Sequence, residues 1–359
     1  MGCQKHWRVG LVGIGRGKGY GKLFADEPRC KITACCDVAP QDLERFGREL
    51  ELSDKACFTD YGEFLASGPD IVFLGTPIPY HAQQAIDAME AGCHVLSEVT
   101  AAATVEDCGR IVEAVRRTGR TYMLAENCIY WHFVSKWKEI VSQGRLGEIV
   151  YAECEYLHPV PALIFDRNTG EAKWRSNRAP LHYCSHSLGP ILDITGDRIV
   201  RGCGLGQGHR VLPESPIGGI DMQVALFETE KGMIIKLLRT SVMPHQPGMH
   251  FYALHGTRGY VESNRGGVDR PGCLYIEGEM KCDQEIEVPM NDPSLPESAR
   301  AGGHGTAEYS LVQDFLRALE RKEKPRIDEI RAMDMTVPGL VAHASAMRGG
   351  EWLDVPSFA

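Results

Sequence analysis

The sequence is short of most features that would take it to a membrane, a nucleic acid or an oxidising compartment. No apolar stretch approaches the roughly 20 residues needed to cross a bilayer. The opening Met1-Gly2-Cys3-Gln4-Lys5-His6-Trp7 has no apolar core of the kind a secretory signal requires. Lysine and arginine never gather into a long basic run, and the net charge is −9, which argues against nucleic acid as the main partner. Repeats and low-complexity tracts are absent. None of the 13 cysteines forms a Cys-x-x-Cys pair, and only Cys35 and Cys36 are adjacent. An odd count without a framework reads as reduced thiols in a cytoplasmic protein, most of them small core residues. What remains is 359 residues, 43% apolar and 24% charged, the make-up of a globular enzyme of about two domains.

The chain is organised around Arg8-Val9-Gly10-Leu11-Val12-Gly13-Ile14-Gly15-Arg16-Gly17-Lys18-Gly19-Tyr20-Gly21. A short apolar run meets a glycine cluster, after which Lys22 to Ala25 can open a helix. Backbone amides at such a turn can approach a pyrophosphate, and a helix N-terminus adds partial positive charge. The spacing is irregular, with lysine at position 18 where a third glycine would fall. The next strand, Lys31 to Cys36, ends at Asp37, about 20 positions beyond the glycines and placed to accept hydrogen bonds from an adenosine ribose. Its charge suits a free 2′-hydroxyl, so NAD is expected over NADP. Arg16 keeps the 2′-phosphate form open.

Short strands (Ile71 to Leu74, His94 to Leu96, Thr121 to Leu124) alternate with helical patterns (Pro40 to Leu50, His81 to Ala91, Thr104 to Arg117). That rhythm predicts an α/β fold, a doubly wound parallel Rossmann sheet over residues 1–126. Ligands bind at the carboxyl ends of such strands, where Gly13 to Gly19, Asp37, Gly75-Thr76-Pro77 and Ser97-Glu98-Val99 converge. After a helix at Phe133 to Gln143 the pattern changes. Extended runs at Glu148 to Tyr156, Met222 to Glu228, Gly232 to Thr240, His250 to His255 and Gly259 to Glu262 are separated by turn residues. Residues 127–359 are therefore expected to form an α+β domain with an open, mostly antiparallel sheet, whose uncovered face suits a second copy. Helices return at Thr306 to Arg321 and Asp328 to Met347, and the last of them is able to pack back on the first domain. Met222, Met233, Met243 and Met249 read as core fillers.

These residues resemble the Gfo/Idh/MocA oxidoreductases over nearly the whole chain. The likeness lies in the glycine turn, Gly75-Thr76-Pro77 with His81, Ala91 to Glu98, Gly144-Arg145-Leu146-Gly147-Glu148-Ile149, His186 and the tail from Asp328 to Pro356. The family usually carries Glu-Lys-Pro where this chain has Glu98-Val99-Thr100, and an aspartate where it has His182. A branch of NAD-dependent glycosidases, the α-N-acetylgalactosaminidases among them, also has valine in place of that lysine. It resembles this chain at Ala125 to Tyr130, Tyr156-Leu157-His158, Trp174-Arg175 and Tyr183 to Pro190. The resemblance implies a sugar pocket holding Glu126, Tyr156, His158, Arg175, Tyr183 and His186. It implies a cofactor set of Gly13, Ile14, Gly15, Arg16, Gly19, Tyr20, Asp37, Thr76, Pro77, His81, Glu98, Val99 and Asn127, with NAD as cofactor.

Oxidising a sugar hydroxyl needs a hydride acceptor and a base. His186 is the expected base, with Tyr183 as its proton partner; a histidine that merely packs a helix start is the plainer reading. Tyr156 and His158, two apart on a strand, share a face and could remove the acidified hydrogen at carbon 2 of a 3-keto sugar. Glu126, Trp174, Arg175 and His182 are expected to bind substrate. His158, His182 and His186 could form a metal triad, but a hydride mechanism needs no Lewis acid, so no metal is expected. The outcomes left open are a 3-keto-glycoside, redox-neutral cleavage of the glycosidic bond, and sugar sensing without turnover.

Overall fold

The structure, a computed structural model, describes residues 6–166, 168–208, 210–211, 220–242, 248–267 and 270–359. The chain forms two compact units. One comprises Met1–Tyr130, Pro293–Met333 and Phe358; the other comprises Trp131–Asp292, Asp334–Ser357 and Ala359. Residues 293–333 thus return to the first unit, whereas the sequence boundary at 126/127 assigned them to the second.

The first unit alternates β1 (Trp7–Val12), α1 (Ile14–Ala25), β2 (Cys30–Cys36), α2 (Pro40–Glu49), β3 (Cys57–Phe58), α3 (Tyr61–Ala66), β4 (Ile71–Leu74), α4 (Ile78–Glu90), β5 (His94–Ser97), α5 (Val105–Thr118) and β6 (Tyr122–Leu124). Its six strands are parallel, in the order β3-β2-β1-β4-β5-β6. This is the expected doubly wound sheet. Ile71, Val72, Phe73 and Leu74 of β4 are fully buried, each worth about 1.5–3 kcal/mol in removed apolar surface. Helix α5 begins as its sequence suggests, with the Thr104 hydroxyl accepting from the Asp107 amide at 3.0 Å, and ends at Gly119 in the left-handed region. Helix α1 differs from expectation: it opens at Ile14, directly after Gly13, and runs through the glycine cluster.

The second unit opens with α6 (His132–Ser142), β7 (Ile149–Leu157), α7 (Pro161–Ile164) and α8 (Ser185–Thr195). It continues through β8 (Ile199–Gly208), β9 (Ile220–Thr229), β10 (Ile234–Thr240), β11 (His250–Gly256), β12 (Gly259–Glu262), β13 (Gly272–Ile276) and β14 (Gln284–Ile286). In the returning segment lies α9 (Ala307–Arg321). Helix α10 (Glu329–Ala346) runs from the first unit into the second, and β15 (Leu353–Asp354) closes the sheet. The nine strands lie in the order β14-β13-β12-β11-β7-β10-β9-β8-β15. Every pairing is antiparallel except that of β10 with β7.

No helix among the described residues is long and apolar enough to cross a membrane, and the described cysteines are free thiols. Of the four methionines read as core, Met233 is buried and Met222 half-buried. Met249 is 37% exposed because it precedes β11 beside His158, with its sulfur 2.9 Å from Nδ1. Met243 lies outside the described residues.

Candidate active site

In the first unit the tips of β1, β2, β4 and β5 bring the predicted cofactor residues together. Gly13 holds φ +82, and a Cβ there would sit 2.5 Å from the backbone of Gly75, so only glycine lets these two loops touch. The N-cap residue Gly13 offers α1 no side chain, and the space a Cβ would fill at Gly15 is open. First-turn amides facing open space are what an anion requires. The Asp37 carboxylate accepts from the amides of Ile14 (2.8 Å) and Ala39 (3.0 Å). Each oxygen keeps a further lone pair for a ribose hydroxyl. These residues fit a dinucleotide.

The other members of that set play parts the sequence did not show. The Arg16 guanidinium meets Glu98, just past β5, at 2.8 Å, so its charge is committed there rather than held for a 2′-phosphate. His81 is buried, with its ring nitrogens on the carbonyl oxygens of Thr100 (2.8 Å) and Thr76 (2.7 Å). It ties the Gly75-Thr76-Pro77 loop to the Val99–Thr100 turn, and burial holds its pKa below the ordinary value. Tyr20 stacks on Phe73 at 4.3 Å inside the core, where burial raises its pKa well above normal. A Cβ on Gly19 would strike the Gly302 carbonyl at 2.8 Å, so this glycine admits the returning segment. Asn127 donates to Glu308 at 3.1 Å. Glu126, fully buried, accepts from the Cys128 amide at 3.2 Å. Thr76 bonds Gln84 at 2.5 Å, and Val99 is buried.

In the second unit Tyr156 is the hub. Strand register sets Arg239 of β10 and His250 of β11 opposite it on either side. The Arg239 guanidinium lies 4.3 Å from the Tyr156 ring centre; the His250 imidazole lies 4.3 Å away on the ring's other side. The Tyr156 hydroxyl bonds His158 Nδ1 at 3.0 Å. His186, in the first turn of α8, has Nε2 3.3 Å from the Tyr183 hydroxyl. Its ring is 5.5 Å from that of Tyr156. The Tyr252 hydroxyl donates to the His186 carbonyl at 2.5 Å, anchoring that turn. Arg175 stacks on Trp174 at 4.3 Å, and Arg178 on Tyr183 at the same distance.

Four predicted residues, Tyr156, His158, Tyr183 and His186, therefore meet as two phenol–imidazole pairs. His182 packs edge-on against His343, 4.4 Å between ring centres. Burial, then His343 and Arg178, push its pKa down to about 3. The three histidines weighed as a metal triad thus take separate partners. Arg178, Arg239 and His250 were missed. Arg239 was legible in principle, since Ile235 and Leu237 mark the buried face of β10 and period 2 puts residue 239 on it.

The oxidoreductase family model described as an NAD-binding Rossmann fold matches residues 7–126. The GFO/IDH/MocA C-terminal domain model matches residues 134–262. The chain belongs to the Gfo/Idh/MocA oxidoreductase family. A glycosyl hydrolase family 109 protein of Shewanella pealeana is 28% identical, aligned over 98% of this chain and 85% of its own. Another, from Saccharopolyspora erythraea, is 28% identical over 98% and 83%. Among solved structures, levoglucosan dehydrogenase in complex with NADH and L-sorbose has a TM-score of 0.83 at 19% identity, covering 98% of this chain and all of that one. An oxidoreductase domain protein from Kribbella flavida gives the same values. This Gfo/Idh/MocA member is an NAD-dependent enzyme with an NAD-binding Rossmann domain. When bound, NAD supplies the hydride acceptor.

Proposed function

We propose that this enzyme oxidises the 3-hydroxyl of a sugar or glycoside to a 3-keto-glycoside. The observation that carries the reading is the Tyr183–His186 pair, a hydroxyl 3.3 Å from an imidazole nitrogen. The phenol donates to Nε2 and accepts the sugar O3 proton, so the proton ends on the ring of His186 as the hydride leaves carbon 3. Arg175 and Trp174 hold the sugar beside them, and His182 binds a further hydroxyl. The named relatives act in the same direction: one is a sugar-complexed dehydrogenase and others are glycosyl hydrolases.

The Tyr156–His158 pair favours a second reading, redox-neutral cleavage. A ketone at carbon 3 acidifies the hydrogen on carbon 2. The Tyr156 oxygen takes that proton while its own passes to His158 Nδ1. The resulting enolate expels the group on carbon 1, water adds there, and return of proton and hydride completes the cycle. Leu205 and Val224, cross-strand neighbours exposed on β8 and β9, support pairing of two copies through this sheet.

Mass spectrometry of the NAD-loaded enzyme with a panel of glycosides tests both. A product two mass units lighter with matching NADH supports oxidation alone; free sugar without net NADH supports cleavage. Neither product from any glycoside overturns the proposal.

A further inference from the structure

Two arginines of the second unit, Arg239 buried and Arg178 half-buried, have no carboxylate partner among the described residues. Arg239 is 1% exposed. One terminal nitrogen donates to the carbonyl oxygens of Tyr156 (3.2 Å) and Thr240, while its buried Nε has no acceptor among the described residues. Arg178, stacked on Tyr183, likewise has a buried Nε with none. The charged and titratable groups that act most strongly on Arg178 are Arg239, Tyr183, Arg175 and Tyr156; on Arg239 they are Tyr156, Tyr183 and Cys184. None is a carboxylate. Elsewhere the half-buried Arg29 is set on Glu27 and Glu320.

A guanidinium cannot easily escape burial by losing its proton, and a buried cation without a partner is costly. Burial and the neighbouring arginine push Arg178 down to about 9, and burial lowers Arg239 as well. The molecule carries a net charge of −9, so this positive spot is local. Its position is against the two tyrosines of the proposed sugar site, where a forked donor suits an oxyanion.

We infer that the substrate is an acidic glycoside, whose carboxylate or ester oxyanion docks on Arg178 with the charge of Arg239 behind it. This rests on reading the Tyr156–His186 cluster as a sugar site. Arg178, half-buried, makes the contact; Arg239, enclosed beneath Tyr156, supplies field.

The test is calorimetric binding to NAD-loaded enzyme of matched methyl hexopyranosides in both anomers: the neutral parent, the 6-carboxylate, the 6-sulfate and the 6-phosphate. At least one anionic form is expected to bind ten-fold or more tightly than its parent, and the three arms identify the anion. Arg178→Gln is expected to erase that ratio, and Arg178→Lys to retain part of it, with NAD binding reporting the fold of each variant. If neither variant folds, the wild-type ratios decide. Neutral parents binding as well as every anionic form would overturn the inference and leave the sugar reading standing. An unchanged ratio in Arg178→Gln would also overturn it. Binding of no glycoside at all would remove both.

Discussion

The phenol ring of Tyr156 lies 12° from parallel to the imidazole of His250, 4.3 Å between centres. The two residues face each other across β7 and β11, and Arg239 completes the row from β10. Three side chains in register hold the ring rigidly, so the orientation of its hydroxyl toward His158 does not depend on that hydrogen bond. Orientation by backbone register of this kind is what a proton-transfer group needs.

Tyr156→Phe therefore keeps the stack and deletes only the hydroxyl. Stability is expected to change by less than about 1 kcal/mol. Exchange of the carbon-2 hydrogen with solvent deuterium, followed by NMR on a turned-over glycoside, should slow by roughly 100-fold or more. Oxidation at carbon 3 should persist. Wild-type exchange rates in the variant would take Tyr156 out of the second reading.

His186→Ala deletes the acceptor of the O3 proton while leaving the tip of β1 untouched. NAD affinity should stay within about three-fold of wild type, and single-turnover hydride transfer should fall by roughly 100- to 10,000-fold. Absorbance at the nicotinamide band measures both. Transfer at the wild-type rate would exclude His186 from the chemistry.

Most of the parallel sheet was readable because β1, β2, β4 and β5 are each written as an apolar run followed by glycine or an acid, as at Ile71 to Leu74 and Cys36-Asp37, whereas the two-residue β3 was not read. Nor was strand β8. Its inward residues include Gly202 and Gly204, where a Cβ would collide with Phe227 and with the carbonyl of Ala342 in α10. Close packing there demands glycine, which erases the alternation that marks a strand. Helix α1 was placed late for the converse reason, since glycines weaken helix propensity even where tertiary contact makes the helix. The Tyr–His pairs came from the family resemblance. Arg178 and Arg239 escaped because charge in a loop or on a strand ordinarily reads as surface, and only pairing of β10 with β7 over 80 residues away in sequence encloses Arg239.

Gly13→Ala tests the cofactor cradle from the backbone side. A methyl group there faces both a left-handed φ and the Gly75 backbone at 2.5 Å, so the loop must move. The variant should lose about 2–4 kcal/mol of stability by urea unfolding, and NAD affinity should drop at least ten-fold. An unchanged midpoint together with unchanged NAD affinity would show that the two loops do not meet as described.

His182 predicts a pH dependence with a definite sign. In the unfolded chain its imidazole takes a proton near pH 6.5, whereas burial and the neighbouring His343 hold the folded value near 3. Between those limits the unfolded state binds more protons, so folding stability falls as pH drops below 6.5 and is intact above it. At pH 5 the loss from this one group is about 2 kcal/mol. His343, also pushed down by burial, acts in the same direction. His182→Gln cannot take up the proton and should therefore lose about 2 kcal/mol less than wild type between pH 7.5 and pH 5, measured by urea unfolding. Curves that stay parallel over that range would mean that the imidazole of His182 is open to water in the folded protein.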